Sequence, residues 1–337
     1  MEQVSQVHER NLVDWASKRP NVLVLSGDLT ASTEITLFKK TLPDQFFSMG
    51  MAEQNMLSWA GGLAREGFVP FLHTFAVFLY RRPLDQLEMS VCYPNLPVRL
   101  VGFLPGVSTP GGVTHQAIED IAVLRGLPNM TILEVGDATD VESVLDVTEK
   151  IPGPVYLRMM RGQIPRLFPK DEPMRLNHAR KLSAGTDVAV LSTGLCTEEA
   201  MRACAAMRER GVSIEHLHIT TLKPFSDPQV VEAVSKVRHG VITLENHTVI
   251  GGLGSAVAEV MAEHGVGTRL VRLGVKDTYC QGASFQYLMR KHGLDAQALI
   301  ETVEHMTGKQ LGISADDLAV VSLQATAGAS AERLEAL

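Results

Sequence analysis

Cysteine is scarce: the 337 residues hold four, Cys92, Cys196, Cys204 and Cys280, irregularly spaced and without a Cys-x-x-Cys pair. That spacing gives no zinc signature and predicts reduced thiols among apolar neighbours. No apolar run approaches the about 18 residues that a membrane helix needs, and the opening Met-Glu-Gln-Val-Ser-Gln lacks the charged-then-apolar order of an export signal. The expectation is a cytoplasmic chain with no membrane partner. Basic clusters are missing too. Lys and Arg number 31 against 38 Asp and Glu, a formal charge of −7 spread along the chain, which excludes the electrostatic footprint of a nucleic-acid binder. What the chain does hold is apolar matter, 45% against 20% charged, enough to bury substantial cores. Its length predicts roughly two domains.

Short β-rich runs alternate with amphipathic helical patterns. Residues 21–27, 68–73, 98–103, 130–135 and 154–160 read as strands, with helices over 53–66, 82–91, 116–125 and 141–150. This alternation predicts a doubly wound α/β domain built on a parallel sheet. Periodicity stops after Met160, where Pro165, Pro169 and Pro173 fall among mixed charges. A second alternation follows, with strands at 187–192, 213–219, 240–245 and 268–273, and helices at 198–210, 228–237, 254–263 and 285–292. The expected organisation is a first domain over 1–165, a linker over 166–185, a smaller α/β domain over 186–312 and a tail over 313–337.

Three clusters carry chemical potential. Glu53, after Ser48-Met49-Gly50-Met51-Ala52, opens a helix; the macrodipole favours its charge there while apolar neighbours oppose it. A carboxylate in that position is ordinarily a cap. Phe75 and Phe78 are three apart at a strand end, so a helical start puts them on one face able to hold a planar heterocycle; two core phenylalanines are the plainer alternative. The Gly/Pro-rich loop from Pro105 to Gln116 follows an apolar strand, and such loops at strand C-termini line ligand crevices. His115 stands at its end, as a substrate contact or as an ordinary cap.

The order of these clusters resembles the C-terminal half of a transketolase, a likeness running from about Val22 to Gly308 across both domains. It is carried by Ser26-Gly27-Asp28-Leu29, Gly50-Met51-Ala52-Glu53-Gln54, Thr74-Phe75 with Phe78, Thr114-His115-Gln116, and Glu245-Asn246-His247 with Gly251-Gly252-Leu253-Gly254. The resemblance implies a thiamine-diphosphate-binding pyrimidine domain followed by a transketolase C-terminal domain. It also implies that Glu53 shares a proton with the aminopyrimidine ring nitrogen, and that Phe75 and Phe78 line that ring. Asp28 and Leu29 would lie near the cofactor at a subunit contact. His115 and Gln116 would fall on the substrate side, and Arg161 would meet the sugar phosphate through its two-pronged donor.

The diphosphate-binding domain of the family, with its Gly-Asp-Gly motif for magnesium, has no counterpart in this sequence. The resemblance therefore implies the second subunit of a split enzyme. An N-terminal partner chain would hold Mg²⁺, most simply in an α2β2 assembly, and an apolar face would be exposed for docking. The expected activity is transfer of a two-carbon ketol unit between sugar phosphates. Gly111 replaces an acidic residue of the family's substrate loop, and Phe103 stands where counting back along that loop places a phosphate-binding histidine. Those departures leave room for a branched or modified ketose phosphate. The rival readings are the beta subunit of a 2-oxo acid dehydrogenase, disfavoured by Thr114-His115-Gln116 and the Lys223-Pro224 region, and a non-catalytic homologue that only binds a partner. The run from Gly251 to Gly254 lacks the spacing of a dinucleotide fingerprint and predicts a tight turn with close helix packing.

Overall fold

The computed structural model describes residues 2–320. The first sheet has seven strands: β2 (Val22–Ser26), β3 (Phe46–Ser48), β4 (Val69–Phe75), β5 (Arg99–Phe103), β6 (Thr131–Glu134), β7 (Val155–Met159) and β12 (Thr221–Lys223). Their order is β12-β6-β7-β5-β4-β2-β3, parallel except for β12, which adds antiparallel to β6. A small antiparallel pair, β1 (Gln3–Ser5) with β8 (Gln163–Pro165), ties the start of the chain to the end of this layer. The second sheet runs β14-β13-β10-β11-β9, from β9 (Arg180–Ser183), β10 (Val188–Thr193), β11 (Ile214–Ile219), β13 (Gly240–Thr248) and β14 (Leu270–Val275); only β9 is antiparallel. Central strands such as β2 and β10 are buried along their whole length, which is why they read as unbroken apolar runs rather than as alternations.

Helices cover both sheets. The first is flanked by α1 (Val7–Ala16), α2 (Thr36–Thr41), α3 (Glu53–Arg65), α4 (Ala76–Tyr80), α5 (Leu84–Leu87), α6 (Asp120–Arg125) and α7 (Ala138–Glu149). The second part carries α8 (Cys196–Glu209), α9 (Pro228–Ser235), α10 (Leu253–Glu263), α11 (Phe285–His292), α12 (Ala296–Thr307) and α13 (Ala315–Val320). The mixed α/β architecture of parallel sheets is the expected one, and all four cysteines are buried thiols.

Two helices differ from expectation. The one expected over 116–125 begins only at Asp120, because backbone before it is engaged elsewhere: Arg81 donates to the carbonyls of Val113 and Gln116, and the Gly106 N–H donates to the Ala117 carbonyl. The one expected over 82–91 splits into α5 and a five-residue π-helical turn, Glu88–Cys92, which rides on α3 where Gly61 meets the Ser90 carbonyl. The segment expected as a linker contains β9, and the expected tail contains α13; residues 321–337 lie outside the described residues.

A fully buried ionic network fastens the two parts together. Arg158 on β7 donates from Nε to Asp120 (2.9 Å), from Nη1 to Glu134 and from Nη2 to the Asn246 carbonyl (3.0 Å). Tyr156 donates to Asp120, and Thr193 of the second sheet donates to Glu134 at 2.8 Å. Burial alone would weaken the guanidinium's hold on its proton, but Asp120 and Glu134 outweigh it and raise the Arg158 pKa above its ordinary value. Asn246 completes the joint, accepting from the Val107 N–H and donating to the Pro105 carbonyl. Gly106 sits inside that clasp with φ +62°, and a Cβ there would lie 2.2 Å from the Asn246 amide oxygen. Gly106→Ala is expected to cost more than about 1 kcal/mol in urea unfolding, through both the backbone conformation and the overlap. Beside this joint the Glu245 carboxylate accepts the Leu253 and Gly254 N–H groups at the start of α10; a Cβ on Gly252 would lie 2.1 Å from Glu245 Oε2 and one on Gly254 2.7 Å from the Arg272 side chain, so these glycines serve close packing, as expected.

Candidate active site

Because β2, β3, β4, β5 and β7 run parallel, the segments leaving them gather along one edge of the sheet. Asp28 and Leu29 follow β2, Glu53 follows β3, Phe75 ends β4, the loop bearing His115 follows β5, and Arg161 follows β7.

Glu53 is the first residue of α3 and only 2% exposed, so its buried carboxylate sits at the positive end of the helix dipole. Its Oε1 accepts a hydrogen bond from Arg82 Nη1 at 2.7 Å. Phe75 and Phe78, one before and one within α4, lie nearly parallel, 28° apart with centroids at 6.0 Å. His115 stands edge-on to both, at 5.6 Å from Phe78 and 6.2 Å from Phe75. Its Nδ1 is hydrogen-bonded to the Thr114 hydroxyl at 2.9 Å. Gly111 packs against this imidazole so closely that a Cβ would come within 2.9 Å of the His115 side chain. Phe75, Phe78 and His115 thus form one cluster, and Arg82, whose guanidinium carbon lies 3.8 Å from the Phe78 ring centroid, joins Glu53 to it.

The remaining residues singled out in the sequence lie around that group. Asp28 adopts a left-handed conformation, φ +65°, and Leu29 opens a turn closed by Thr33. Gln116 is buried, its amide donating to the carbonyls of Thr109 and Gln281, so it pins the loop to the second part of the chain. Arg161 donates to the Ser32 carbonyl, and burial lowers its pKa while the nearby Glu34 partly restores it. It faces a separate cavity of about 380 Å³ between the two parts of the chain, lined also by Leu104, Ser108, Arg202 and Phe285.

Phe103 does not occupy a substrate loop. It is the last residue of β5, fully buried against His8 and His73, so counting back along the chain crossed from loop into strand. His8 and His73 share a hydrogen bond at 2.9 Å. Burial pushes His8 and His216 down to about 3 and His247 to about 4, and holds His73 well below the ordinary value. The unfolded chain takes up protons on these groups below about pH 6.5 while the folded chain refuses them, so stability falls as pH drops from 6.5 toward 4. Burial also raises Glu34 and Glu245 to about 7 and Asp137 to about 6, and raises Glu134, and these four work in the opposite sense. With His292 lowered as well, five histidines stand against four carboxyls, so urea midpoints at pH 6.5, 5.5 and 4.5 are expected to decline modestly in that order.

Arg82 is the site residue that the sequence reading passed over. Its signal was the i to i+4 spacing from Phe78. The adjacent Arg81 does different work, pairing with Glu119 at 2.6 Å and holding the loop that carries His115. Among the described residues, no group of three or more His, Cys, Asp or Glu is arranged to hold a metal ion, and no helix is long and apolar enough to cross a membrane.

Residues 3–166 match the transketolase pyrimidine-binding domain, and residues 177–299 match the transketolase C-terminal domain. The 6-deoxy-6-sulfo-D-fructose transketolase subunit of Clostridium sp. strain MSTE9 is 34% identical over 300 residues, covering 89% of this chain and 92% of its own length. An apulose-4-phosphate transketolase subunit of Actinobacillus succinogenes is 30% identical over 302 residues, covering 89% and 97%. A solved structure described as a split gene transketolase, inactive beta4 tetramer, superposes with a TM-score of 0.82 at 35% identity, covering 90% of this chain and 98% of that one. Transketolase from Leishmania mexicana shares the fold at 17% identity, with a TM-score of 0.75 over 45% of its length.

Proposed function

The chain belongs to the transketolase family, and we propose that it is the pyrimidine-binding subunit of a split, thiamine-diphosphate-dependent transketolase. The observation that carries this reading is the buried Glu53 carboxylate at a helix N-terminus, joined through Arg82 to the cluster of Phe75, Phe78 and His115. The residues fit an aminopyrimidine: near-parallel aromatic faces, a carboxylate able to share a proton with a ring nitrogen, and the Thr74 hydroxyl, buried and without a partner, beside Gly27 close to Glu53. When bound, thiamine diphosphate supplies the carbanion chemistry of ketol transfer. This chain's share is to hold the ring against Phe78 and Phe75, to keep a proton at the Glu53 carboxyl, and to meet substrate hydroxyls with His115. Arg161 lines the cavity between the two parts of the chain rather than the cluster at His115, and there it offers a guanidinium to a phosphate.

Magnesium and the diphosphate are assigned to a separate N-terminal chain in an α2β2 assembly. An apolar surface supports such docking: Met51 before α3, Trp59 on α3, Met89 on the π-helical turn packed against α3 and Tyr93 just after that turn are 78%, 50%, 51% and 80% exposed. The substrates in the names of the two relatives, 6-deoxy-6-sulfo-D-fructose and apulose 4-phosphate, support a ketose outside the usual xylulose and ribose phosphates. Reconstitution with the diphosphate-binding chain tests this reading. Ketol transfer is expected only when both chains are present; a pair that reduced lipoamide and ignored ketose phosphates would overturn it.

A further inference from the structure

The aromatic face and the carboxylate that an aminopyrimidine needs are both engaged by a side chain of this protein. The Arg82 guanidinium carbon lies 3.8 Å from the Phe78 ring centroid, well inside the roughly 6 Å reach of a cation–π contact, and its Nη1 donates to Glu53. A guanidinium is planar, cationic and edged with N–H donors. Those are the features by which a protonated aminopyrimidine would stack on Phe78 and hydrogen-bond Glu53.

We propose that Arg82 is a resident stand-in for the coenzyme ring, occupying its site on the isolated chain and leaving when the ring enters. This inference rests on the functional reading above. The geometry allows the exchange. Arg82 lies in the bend between α4 and α5, outside either helix, and its side chain is 45% exposed against 2% for Glu53, so it can turn into water without breaking a helix. Its backbone is held in place by Gln54, whose amide donates to the Arg82 carbonyl at 3.3 Å. The contact also has a reason to exist: a buried carboxylate without a partner is costly, and Arg82 neutralises Glu53 until a ring arrives. Ring binding to the chain alone must therefore displace an ion pair. The diphosphate anchor on the partner chain supplies the extra affinity that completes the exchange.

The test is calorimetric titration of thiamine, which lacks the diphosphate, into the isolated full-length chain, with thiamine diphosphate titrated into the reconstituted complex as reference. Arg82→Ala is expected to tighten thiamine binding to the isolated chain about 10-fold. Arg82→Lys is expected to tighten it less, because an ammonium keeps the charge without the flat stack. Arg82→Gln makes the same comparison if the alanine variant loses its fold, which a thermal melt reports. Unchanged thiamine affinity in these variants, with normal coenzyme binding by the wild-type complex, overturns the proposal and leaves the functional reading standing. No coenzyme binding even by the wild-type complex overturns the functional reading, and the proposal with it.

Discussion

Glu53→Gln is expected to lower kcat of the reconstituted complex by about 10²–10⁴-fold with little change in substrate KM. The substitution keeps the size of the side chain and an oxygen for Arg82, but removes the proton that the carboxyl shares. Since the change leaves binding surfaces intact, the loss belongs in turnover rather than affinity. Stability is expected to change by less than about 1 kcal/mol, because the partner that loses its counter-charge, Arg82, is 45% exposed and can be solvated. Steady-state kinetics with a ketose phosphate donor, read beside a thermal melt, checks both halves. Turnover within tenfold of wild type would remove Glu53 from the chemistry.

The second large effect concerns stability. Arg158→Met leaves Asp120 and Glu134 facing each other's charge in a fully buried site, and is expected to cost about 3–5 kcal/mol in urea unfolding. Because Arg158 also holds the Asn246 carbonyl and Glu134 holds Thr193, the joint between the two parts weakens with it, so the single transition is expected to broaden or split. Adding Asp120→Asn and Glu134→Gln removes the stranded charges and is expected to recover much of the loss. A cost below about 1 kcal/mol for Arg158→Met alone would show that the network is not what holds the joint.

Much of this was legible in the sequence because it is local. Unbroken apolar runs such as Val22-Leu23-Val24-Leu25 announce strands buried on both faces, and they fall where β2, β4, β5, β6 and β7 lie. Glu53, Phe75, Phe78 and His115 were readable as three separate clusters, since each stands at a strand end or a helix start; only the parallel order of the sheet brings them together. Less legible were elements whose signals are caps rather than periodicity. α12 begins with Asp295 accepting from the Ala298 N–H and ends at Gly308 in a left-handed conformation, a start and stop signal that periodicity alone does not register. β12 could not be assigned to the first sheet from sequence, since its neighbours in the chain belong to the second. Counting positions along a loop misled at Phe103, because the count does not register where strand ends and loop begins. Arg82 was missed for a different reason: its spacing from Phe78 shows only half of its role, since the carboxylate it pairs with, Glu53, lies 29 positions away.

The most direct test is a crystal structure of the assembled complex with thiamine diphosphate bound. The expected result is an aminopyrimidine ring against Phe78, its nitrogen within hydrogen-bonding distance of the Glu53 carboxylate, with Arg82 turned away from both. A ring bound elsewhere, with Glu53 still paired to Arg82, would contradict it.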